Sequence, residues 1–369
     1  MESIFIPRYF WNGTNDEVCT NTAVLVRDNR IEQIDEPEKL RLGYPEAQVL
    51  ESKDWLMMPA FVDAHDHGRG MSPISFRTPD RALEMWLQDL NKLPAIPHYQ
   101  ACYYDGMRLV SSGVGMVLHS HNPNSFAKIR EEMVAAEKGY KDAGIRSILC
   151  PLYLDQNKRI YYDRDKFISD LPEPLRTSFA AGIHDKIMSM DEYFQLVEGI
   201  CEDLADDIKA GWTEVQLHPN GGQWCSDEAL LQMKEYALEH GMYIHLHLLE
   251  TQYQAEYAKR TWGKSFIKHY KEIGFLGPWV SFAHAVWLDE EDLQLIAESG
   301  AHLITNPSSN LRLRSGIFNM QRANELGIDC GIGLDGCAFD DDQDYLREIR
   351  VAWLNNLHNG VDGEVDYKD

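Results

Sequence analysis

The predicted fold follows from the stretch Leu56-Met57-Met58-Pro59-Ala60-Phe61-Val62-Asp63-Ala64-His65-Asp66-His67-Gly68, an apolar run that ends in two histidines and a glycine. The apolar run, from Leu56 to Ala64, predicts a buried strand, in which side chains point alternately to the two faces. His65 and His67 are therefore expected on the same face, at the carboxyl end of this strand. Two imidazoles placed in this way supply half of a metal site. A histidine pair alone is a weak signal, so the remaining ligands must be found elsewhere in the chain.

The composition is that of a globular protein. The chain has 369 residues and a formal net charge of -24, which argues against nucleic acid or an anionic membrane as a partner. This length fits one barrel-sized domain with an accessory piece, or two ordinary domains. The sequence has no bilayer-spanning apolar run and no secretory signal at Met1 to Arg8. Seven scattered cysteines without a CxxC pair fit reduced thiols, so we expect a cytoplasmic protein.

Residues 1–56 are predicted to form a small piece of the β-sandwich type. Two apolar runs, at 22–27 and 30–34, flank Asp28-Asn29, a pair suited to a tight hairpin turn. Glu36-Pro37-Glu38 is expected to start a linker. A sheet of this size needs a partner to bury its apolar face, so we expect it to accompany a larger domain.

The larger domain is predicted over residues 57–369, where apolar runs alternate with amphipathic, helix-length segments. The predicted strands cover 56–64, 113–119, 145–150, 213–217, 242–247, 280–284, 301–305 and 328–334. The predicted helices cover 99–111, 125–143, 191–210, 226–239, 289–298 and 343–357. Eight strands in alternation with helices predict an α/β fold of the (β/α)8 TIM barrel type.

Residues able to bind a metal or transfer protons follow four of the eight predicted strands. They are His65 and His67 after strand one, His245, His247 and Glu250 at strand five, His284 at strand six, and Asp335 after strand eight. In such a barrel the carboxyl ends of the strands converge on the catalytic site. Three neutral imidazoles and a carboxylate suit Zn²⁺, with Fe²⁺ as a near competitor, and leave one position for water.

Five motifs stand in the order found in the amidohydrolase superfamily. They are Ala64-His65-Asp66-His67, His247-Leu248-Leu249-Glu250-Thr251, Ala283-His284-Ala285-Val286-Trp287-Leu288, Asn306-Pro307-Ser308-Ser309-Asn310-Leu311 and Gly333-Leu334-Asp335-Gly336. The chain most resembles the cytosine-deaminase and triazine-hydrolase-like branch, which includes adenosine-type and guanine deaminases and chlorohydrolases. The similarity spans nearly the whole chain. The motifs are specific for the superfamily and much less so for the substrate.

The resemblance implies a role for each site residue. His65, His67, His247 and Asp335 would bind one divalent metal, which lowers the pKa of a water molecule so that it can attack near neutral pH. Asp335 would take the proton of that water, and Glu250 would deliver a proton to a ring nitrogen of the substrate. His284 would hold or polarise the group under attack.

Two choices within this set depend on the family pattern. His245 and His247 share a face, so spacing alone leaves the ligand open; the family pattern, with Glu three residues after the ligand, selects His247. His245 then becomes a buried hydrogen-bonding neighbour. Binuclear relatives bridge two metals with a lysine on strand four. Residues 213–217 contain no lysine, so we expect a single metal.

Other residues are candidates for substrate contact or for support. His218, Gln223 and Trp224 leave the mouth of strand four, where an amide and an indole could read and stack on a flat heterocycle. Trp224 could equally pack under its own loop. Residues 68–77 are expected to form a lid, and 84–87 to face the pocket. The remaining candidates are His119 and His121, as pocket lining or structural residues, and 306–310, whose side chains would tie loop backbone.

We therefore predict a mononuclear metal-dependent hydrolase that removes an amino or halide substituent from a purine, pterin, pyrimidine or triazine. Two alternatives remain: a cyclic-amide hydrolase of the imidazolone type, and a catalytically silent barrel that serves as a binding protein. The partners of the predicted hydrolase would be a small-molecule substrate and water. The sequence leaves the oligomeric state open, and a homodimer is the commonest assembly. Family members continue past strand eight to close the small β domain. This chain stops at Asp369, so that part is expected to be missing.

Overall fold

The computed structural model describes residues 2–156, 161, 163–181, 188–336 and 342–357. The chain divides into two compact units, Met1–Phe61 and Val62–Asp369. Cys337 and the end of the chain after residue 357 lie outside the described residues, and the other six cysteines are free thiols. Within the described ranges, no helix is both long and apolar enough to cross a membrane.

The first unit is a four-stranded sheet with one helix. Its elements are β1 (Glu2–Phe10), β2 (Ala23–Arg27), β3 (Arg30–Asp35), α1 (Pro37–Gly43) and β4 (Gln48–Met57). The strand order is β3-β2-β1-β4, with β1 antiparallel to β2 and parallel to β4. The predicted hairpin turn is confirmed, since Asp28 and Asn29 take φ values of 48° and 64°, as the favoured two-residue turn requires. Alternate residues such as Ile4 and Ile6 are buried with Leu40 of α1.

Two predictions for this region are wrong. The single strand from Leu56 to Ala64 is two strands, because β4 ends at Met57 and the next strand begins at Phe61. Pro59 lies between them and lacks the N–H that a continuous ladder would need. The expected linker at residues 36–38 starts a helix instead. Pro37 occupies the first helical turn, where the missing N–H costs nothing.

The second unit is an α/β fold with parallel sheets. Its strands are β5 (Phe61–Asp66), β6 (Val114–Ser120), β7 (Arg146–Cys150), β8 (Leu152–Tyr153), β9 (Thr213–Val215), β10 (His218–Pro219), β11 (Ile244–Leu248), β12 (Val280–His284), β13 (His302–Thr305) and β14 (Cys330–Ile332). Two four-stranded sheets have the orders β5-β6-β7-β9 and β11-β12-β13-β14, and β8 pairs with β10. The β6–β7, β7–β9, β11–β12, β12–β13 and β13–β14 pairs are all parallel.

Helices separate most successive strands of this unit, but in the described part of the chain no helix lies between β7 and β8 or between β9 and β10. The helices are α2 (Leu83–Asp89), α3 (His98–Ser111), α4 (Ile129–Ala143), α5 (Arg164–Asp170), α6 (Leu175–Ala181), α7 (Met190–Asp203), α8 (Ala205–Ala210), α9 (Asp227–His240), α10 (Gln252–Trp262), α11 (Phe266–Glu272), α12 (Glu290–Ser299), α13 (Pro307–Arg312), α14 (Met320–Glu325) and α15 (Tyr345–Asn356). The predicted N-cap is confirmed, because Ser226 accepts a hydrogen bond from the N–H of Ala229. The predicted helix over 191–210 is instead two helices, α7 and α8, separated at Leu204.

Candidate metal centre and substrate pocket

The predicted ligands and the acid lie at strand ends of the second unit. β5 contains His65 and is followed by His67, β11 contains His247, and β12 ends on His284. Glu250 and Asp335 follow β11 and β14 after short turns. All of these side chains are buried. The structure therefore places together every residue that the sequence analysis assigned to the metal and to proton transfer.

Each candidate histidine ligand has its Nδ1 atom turned away from the centre, toward an acceptor. His67 Nδ1 lies 2.7 Å from the carbonyl oxygen of Ser120, and His247 Nδ1 lies 2.5 Å from that of Asn220. A carbonyl oxygen can only accept, so both Nδ1 atoms donate and both Nε2 atoms keep a lone pair. Such outer contacts typically fix the tautomer and orientation of a metal-binding histidine.

His65 is oriented by a second histidine. Its Nδ1 lies 2.8 Å from Nε2 of His245, whose own Nδ1 lies 2.8 Å from the hydroxyl of Ser281. With both rings neutral, His65 donates to His245, and His245 donates to Ser281. This arrangement gives His245 the buried, hydrogen-bonding role expected for it, and it leaves Nε2 of His65 available to a ligand.

The inward-facing atoms converge with the spacing of a metal site. Asp335 Oδ1 lies 3.0 Å from His67 Nε2 and 3.4 Å from His65 Nε2, and His247 Nε2 lies 3.4 Å from His67 Nε2. Ligands at about 2.0–2.2 Å from a tetrahedral ion are about 3.3 Å apart. Within the described part of the chain, His65 Nε2 and Asp335 Oδ1 are buried without a hydrogen-bond partner. Lone pairs that face a carboxylate with no intervening proton require a cation, so these residues fit a divalent metal.

Electrostatics keep the ligands in their binding forms. Burial lowers the pKa values of His65, His67 and His247, so these rings are neutral near pH 7. Burial alone would raise the pKa of Asp335, but its contacts with His65 and His67 outweigh burial and hold that pKa well below the usual range. The site therefore combines neutral imidazoles with one ionised carboxylate.

Unusual backbone conformations position two of the site residues. His284 and Asp335 have φ values of 73° and 60°, in the left-handed region that costs a residue with a side chain about 1–3 kcal/mol. Their side chains face the centre from these positions. Strain of this kind persists only where surrounding contacts enforce it, and it clusters at functional sites.

Helix α13 supplies contacts that hold the site. The hydroxyl of Ser309 donates to Oδ2 of Asp335 at 2.5 Å. The side-chain amides of Asn310 and Asn306 lie 2.9 and 3.1 Å from Nδ1 of His284. The sequence analysis expected residues 306–310 to tie loop backbone, and that expectation is wrong. These side chains instead orient active-site side chains, because α13 begins directly at the end of β13.

We expect Ser309→Ala to weaken metal affinity by about 10–100-fold, because the carboxylate of Asp335 loses the donor that fixes its orientation. The measurement is competition for the metal with a chelator of known affinity. Ser308→Ala is the matched control, since within the described residues the Ser308 hydroxyl is buried without a partner. An equal loss in both variants would contradict this role for Ser309.

Glu250 faces the same centre from the other side. Its Oε2 lies 3.8 Å from His284 Nε2, which is itself 4.0 Å from Asp335 Oδ2. Burial, together with the charges of Asp335 and Glu84, raises the pKa of Glu250 well above its usual value. Burial lowers the pKa of His284 to about 4. The imidazole of His284 is therefore neutral near pH 7, and burial favours the protonated form of the neighbouring Glu250 carboxyl.

A cavity opens beside these residues. Its polar wall contains His67, Glu250, His284 and Asp335, with Arg69, Asn122 and Asn220. Its apolar wall contains Leu83, Trp86, Leu87, Trp224 and Leu313. The predicted lid segment thus contributes Arg69, and the predicted pocket-facing segment 84–87 contributes Trp86 and Leu87. The mixture of indole, aliphatic and hydrogen-bonding groups suits a flat, polar-edged ring.

The three predicted substrate contacts occupy different places. Trp224 lines the cavity, with its ring centroid 6.4 Å from that of His247. His218 is fully buried behind it, and both its ring nitrogens are engaged, by Ser120 Oγ and by the carbonyl oxygen of His245. Gln223 donates to the hydroxyl of Tyr161 and is absent from the described lining. This geometry favours a supporting role for His218 and Gln223, and direct contact with the substrate for Trp224.

Several residues of the pocket carried no recognisable sequence signal. Leu313, at the end of α13, packs with Leu83 and Trp86 in a small buried cluster. Asn122 lies 2.8 Å from Nδ1 of His67. Single leucines and asparagines in loops are common, so only the folded structure reveals these contacts. Ser309 stands in a motif that the sequence already indicated, but its contact with Asp335 could not be predicted from the sequence.

Comparison with known proteins gives matches along almost the whole chain. A sequence profile of the amidohydrolase family matches residues 56–369. The chain is 28% identical over 352 residues to the 5′-deoxyadenosine deaminase of Methanopyrus kandleri, covering 95% of this chain and 73% of that enzyme. It is 27% identical over 360 residues to the 5-methylthioadenosine/S-adenosylhomocysteine deaminase of Thermococcus onnurineus, covering 95% and 74%. The crystal structure of an adenosine deaminase from Xanthomonas campestris with bound zinc superposes with a TM-score of 0.77 at 20% identity, covering 96% of this chain and 73% of that one. At that identity the superposition establishes a common fold.

Proposed function

The chain belongs to the amidohydrolase family, and we propose that it is a metal-dependent deaminase of adenine nucleosides. In the proposed substrates the 5′-hydroxyl is absent or is replaced by an apolar substituent. The chain is a hydrolase of carbon–nitrogen bonds, as its family and its deaminase relatives indicate. The observation that carries the assignment is the convergence of three imidazole Nε2 atoms and a carboxylate oxygen opposite a buried glutamic acid whose pKa is raised by burial. A silent scaffold would not require this complete set, and the deaminase relatives favour deamination over the opening of a cyclic amide.

The proposed mechanism assigns one task to each group. A divalent metal held by His65, His67, His247 and Asp335 would supply Lewis acidity, which lowers the pKa of water. Asp335 accepts the proton of the attacking water, and Glu250 donates its proton to the ring nitrogen next to the carbon under attack. His284, neutral and held by α13, positions the water for attack. Asp335 then passes the proton of the water to the amino group, which leaves as ammonia, and the new hydroxyl returns a proton to Glu250 as it becomes the ring carbonyl.

Two features of the pocket support an adenine nucleoside with an apolar 5′ end. The indoles of Trp86 and Trp224 line the cavity and give it aromatic surface for a flat base. Leu83, Leu87 and Leu313 give an apolar surface that suits a methyl or methylthio group better than a phosphate. The net charge of -24 further disfavours a phosphorylated substrate. The curated relatives are named for 5′-deoxyadenosine and for 5-methylthioadenosine and S-adenosylhomocysteine, none of which carries a free 5′-hydroxyl.

We also propose zinc as the metal and a closed (β/α)8 barrel as the frame of residues 57–369. Zinc suits imidazole and carboxylate ligands, with Fe²⁺ as the competitor. Two links between the sheets support closure. Leu217 forms a bridge with Ile244 at the start of β11, and the N–H of Asp335 donates to the carbonyl oxygen of His65.

The function is tested by ammonia release from purified, zinc-loaded protein. We expect turnover of 5′-deoxyadenosine and methylthioadenosine, and no release by His247→Ala. We expect at least about 100-fold lower kcat/KM for adenosine 5′-monophosphate, because its phosphate would lose water against the apolar wall formed by Leu83, Leu87 and Leu313. Guanine, cytosine and a chlorotriazine serve as competing substrates, and chloride release is measured for the chlorotriazine. Efficient turnover of one of these with none of the nucleosides would overturn the substrate class. Absence of both metal and turnover would overturn the deaminase assignment.

A further inference from the structure

A second cluster of metal-type ligands lies outside the catalytic centre. It is formed by His98 at the start of α3, His121 just after β6, and Glu132 on α4. Oε2 of Glu132 lies 3.3 Å from His98 Nε2 and 3.2 Å from His121 Nε2. All three ligand atoms lie within 4.8 Å of one another. Three successive elements thus present two imidazoles and a carboxylate to one point.

The spacing of this cluster is that of metal ligands. Ligands of a tetrahedral ion bound at about 2.0–2.2 Å are about 3.3 Å apart. The distances from Glu132 to His98 and His121 match this value, as do those in the catalytic centre. The side chains of His98 and Glu132 are 10% and 12% exposed, so an ion from solvent can reach them.

His98 has a ring nitrogen that needs a partner. Its Nε2 is buried and makes no hydrogen bond with the described residues, although Glu132 is near. Burial also lowers the pKa of His98, which favours the neutral ring with a free lone pair. A buried polar atom without a partner is costly, and a cation between His98 and Glu132 removes that cost.

The surroundings hold the other two ligands in place. His121 Nδ1 lies 3.1 Å from His119 Nε2, and His119 Nδ1 lies 3.1 Å from the hydroxyl of Tyr140. With His121 donating along this chain, its Nε2 presents a lone pair to the cluster, as in metal sites with an outer acceptor. Glu132 is fixed by the backbone N–H groups of Asn124 and Ser125, which donate to its two oxygens.

We propose that His98, His121 and Glu132 bind a second divalent transition-metal ion, zinc by preference, in a site that is separate from the catalytic centre and has a structural role. Water would complete the coordination. The ion would fasten α3 and α4 to the end of β6. That end carries the carbonyl of Ser120 and the amide of Asn122, both of which contact Nδ1 of the catalytic ligand His67.

The test counts metal in four proteins after zinc loading and exhaustive dialysis: the unaltered chain, His98→Gln, Asp335→Asn, and the double variant. We expect each His98→Gln protein to bind about one ion per chain fewer than its parent, and the unaltered chain to bind about two. His302→Gln, at a half-exposed histidine beside Asp329, is the control and should bind as the unaltered chain does. Cobalt loading of Asp335→Asn should give visible d–d absorption that the double variant lacks.

The outcomes distinguish this proposal from the catalytic assignment. Equal metal content with and without His98 would overturn the second site, and the cluster would then be a hydrogen-bonded network with a proton on His121 Nε2. A loss of one ion on His98→Gln but none on Asp335→Asn would support the second site and contradict the catalytic one. A second probe, Glu132→Gln, should reproduce the loss, because the amide keeps the shape but not the charge. Full binding by that variant would count against the site.

Discussion

Glu250→Gln is expected to lower kcat for nucleoside deamination by about 10²–10⁴-fold, the usual contribution of a general acid, while metal content stays unchanged. The amide has nearly the same shape as the carboxyl but cannot transfer a proton. Glu250 lies 3.8 Å from His284 and is not within the converging ligand set, so metal binding does not depend on it. The measurements are steady-state kinetics and elemental analysis on the same preparation.

The pH dependence gives a second readout for Glu250. Its pKa is raised by burial and by nearby carboxylates, so the proton is retained well above the usual range for a glutamic acid. Activity that needs this proton is present below the raised pKa and falls as pH increases through it. The unaltered enzyme should therefore show a descending alkaline limb in kcat that Glu250→Gln lacks.

Glu137→Gln is the matched control for a buried carboxyl. Glu137 lies on α4, and burial raises its pKa to about 7, but it is not part of the cavity lining. We expect this variant to keep both kcat and the alkaline limb. A limb that disappears in Glu137→Gln, or persists in Glu250→Gln, would contradict the assignment of the acid.

The metal centre was largely predictable because its geometry follows from periodicity. In a strand, residues two apart share a face, which placed His65 with His67 and His245 with His247. Parallel strands bring their carboxyl ends to one edge, which predicted that His284 and Asp335 would join them. What spacing could not decide was the choice between His245 and His247. The structure separates them by their contacts, since His245 is engaged by His65 and Ser281.

The residues of the pocket walls and the ends of the strands were less predictable, for different physical reasons. Leu313 and Trp86 are in contact because α2 packs against the end of α13. No local sequence pattern encodes a contact between two segments so far apart in the chain. The interruption between β4 and β5 could have been predicted from Pro59, which lacks a backbone N–H. The apolar run around Pro59 nevertheless gave a stronger signal for one continuous strand. His98 carried no signal at all, since its partners come from β6 and α4.

Orientation of the ligands is shared among several elements. Ser120 at the end of β6, Asn220 after β10 and Ser281 on β12 each support a different histidine, directly or through His245. A ligand set held from several sides is pre-organised, so metal binding does not have to order it. This reasoning also predicts that changes at these supports weaken the metal less than changes at the ligands themselves.

Asp335→Asn is expected to have the largest effect of any single isosteric change, lowering kcat by about 10⁴-fold or more, because one residue serves both as metal ligand and as proton acceptor. The amide removes the only carboxylate among the converging atoms. It also leaves the lone pairs of His65 and His67 without the charge that now lies 3.4 and 3.0 Å away. Affinity for the catalytic metal should fall with the activity.

Added zinc separates the two contributions of Asp335. If its only task were to bind the metal, saturating zinc would restore most of the activity of Asp335→Asn. Because the residue also accepts the proton of the attacking water, we expect kcat to stay at least about 10²-fold low even when the centre is refilled. Metal content measured under the assay conditions establishes the refilling. Recovery to within tenfold of the unaltered enzyme would show that another group, with His284 the nearest candidate, accepts that proton instead.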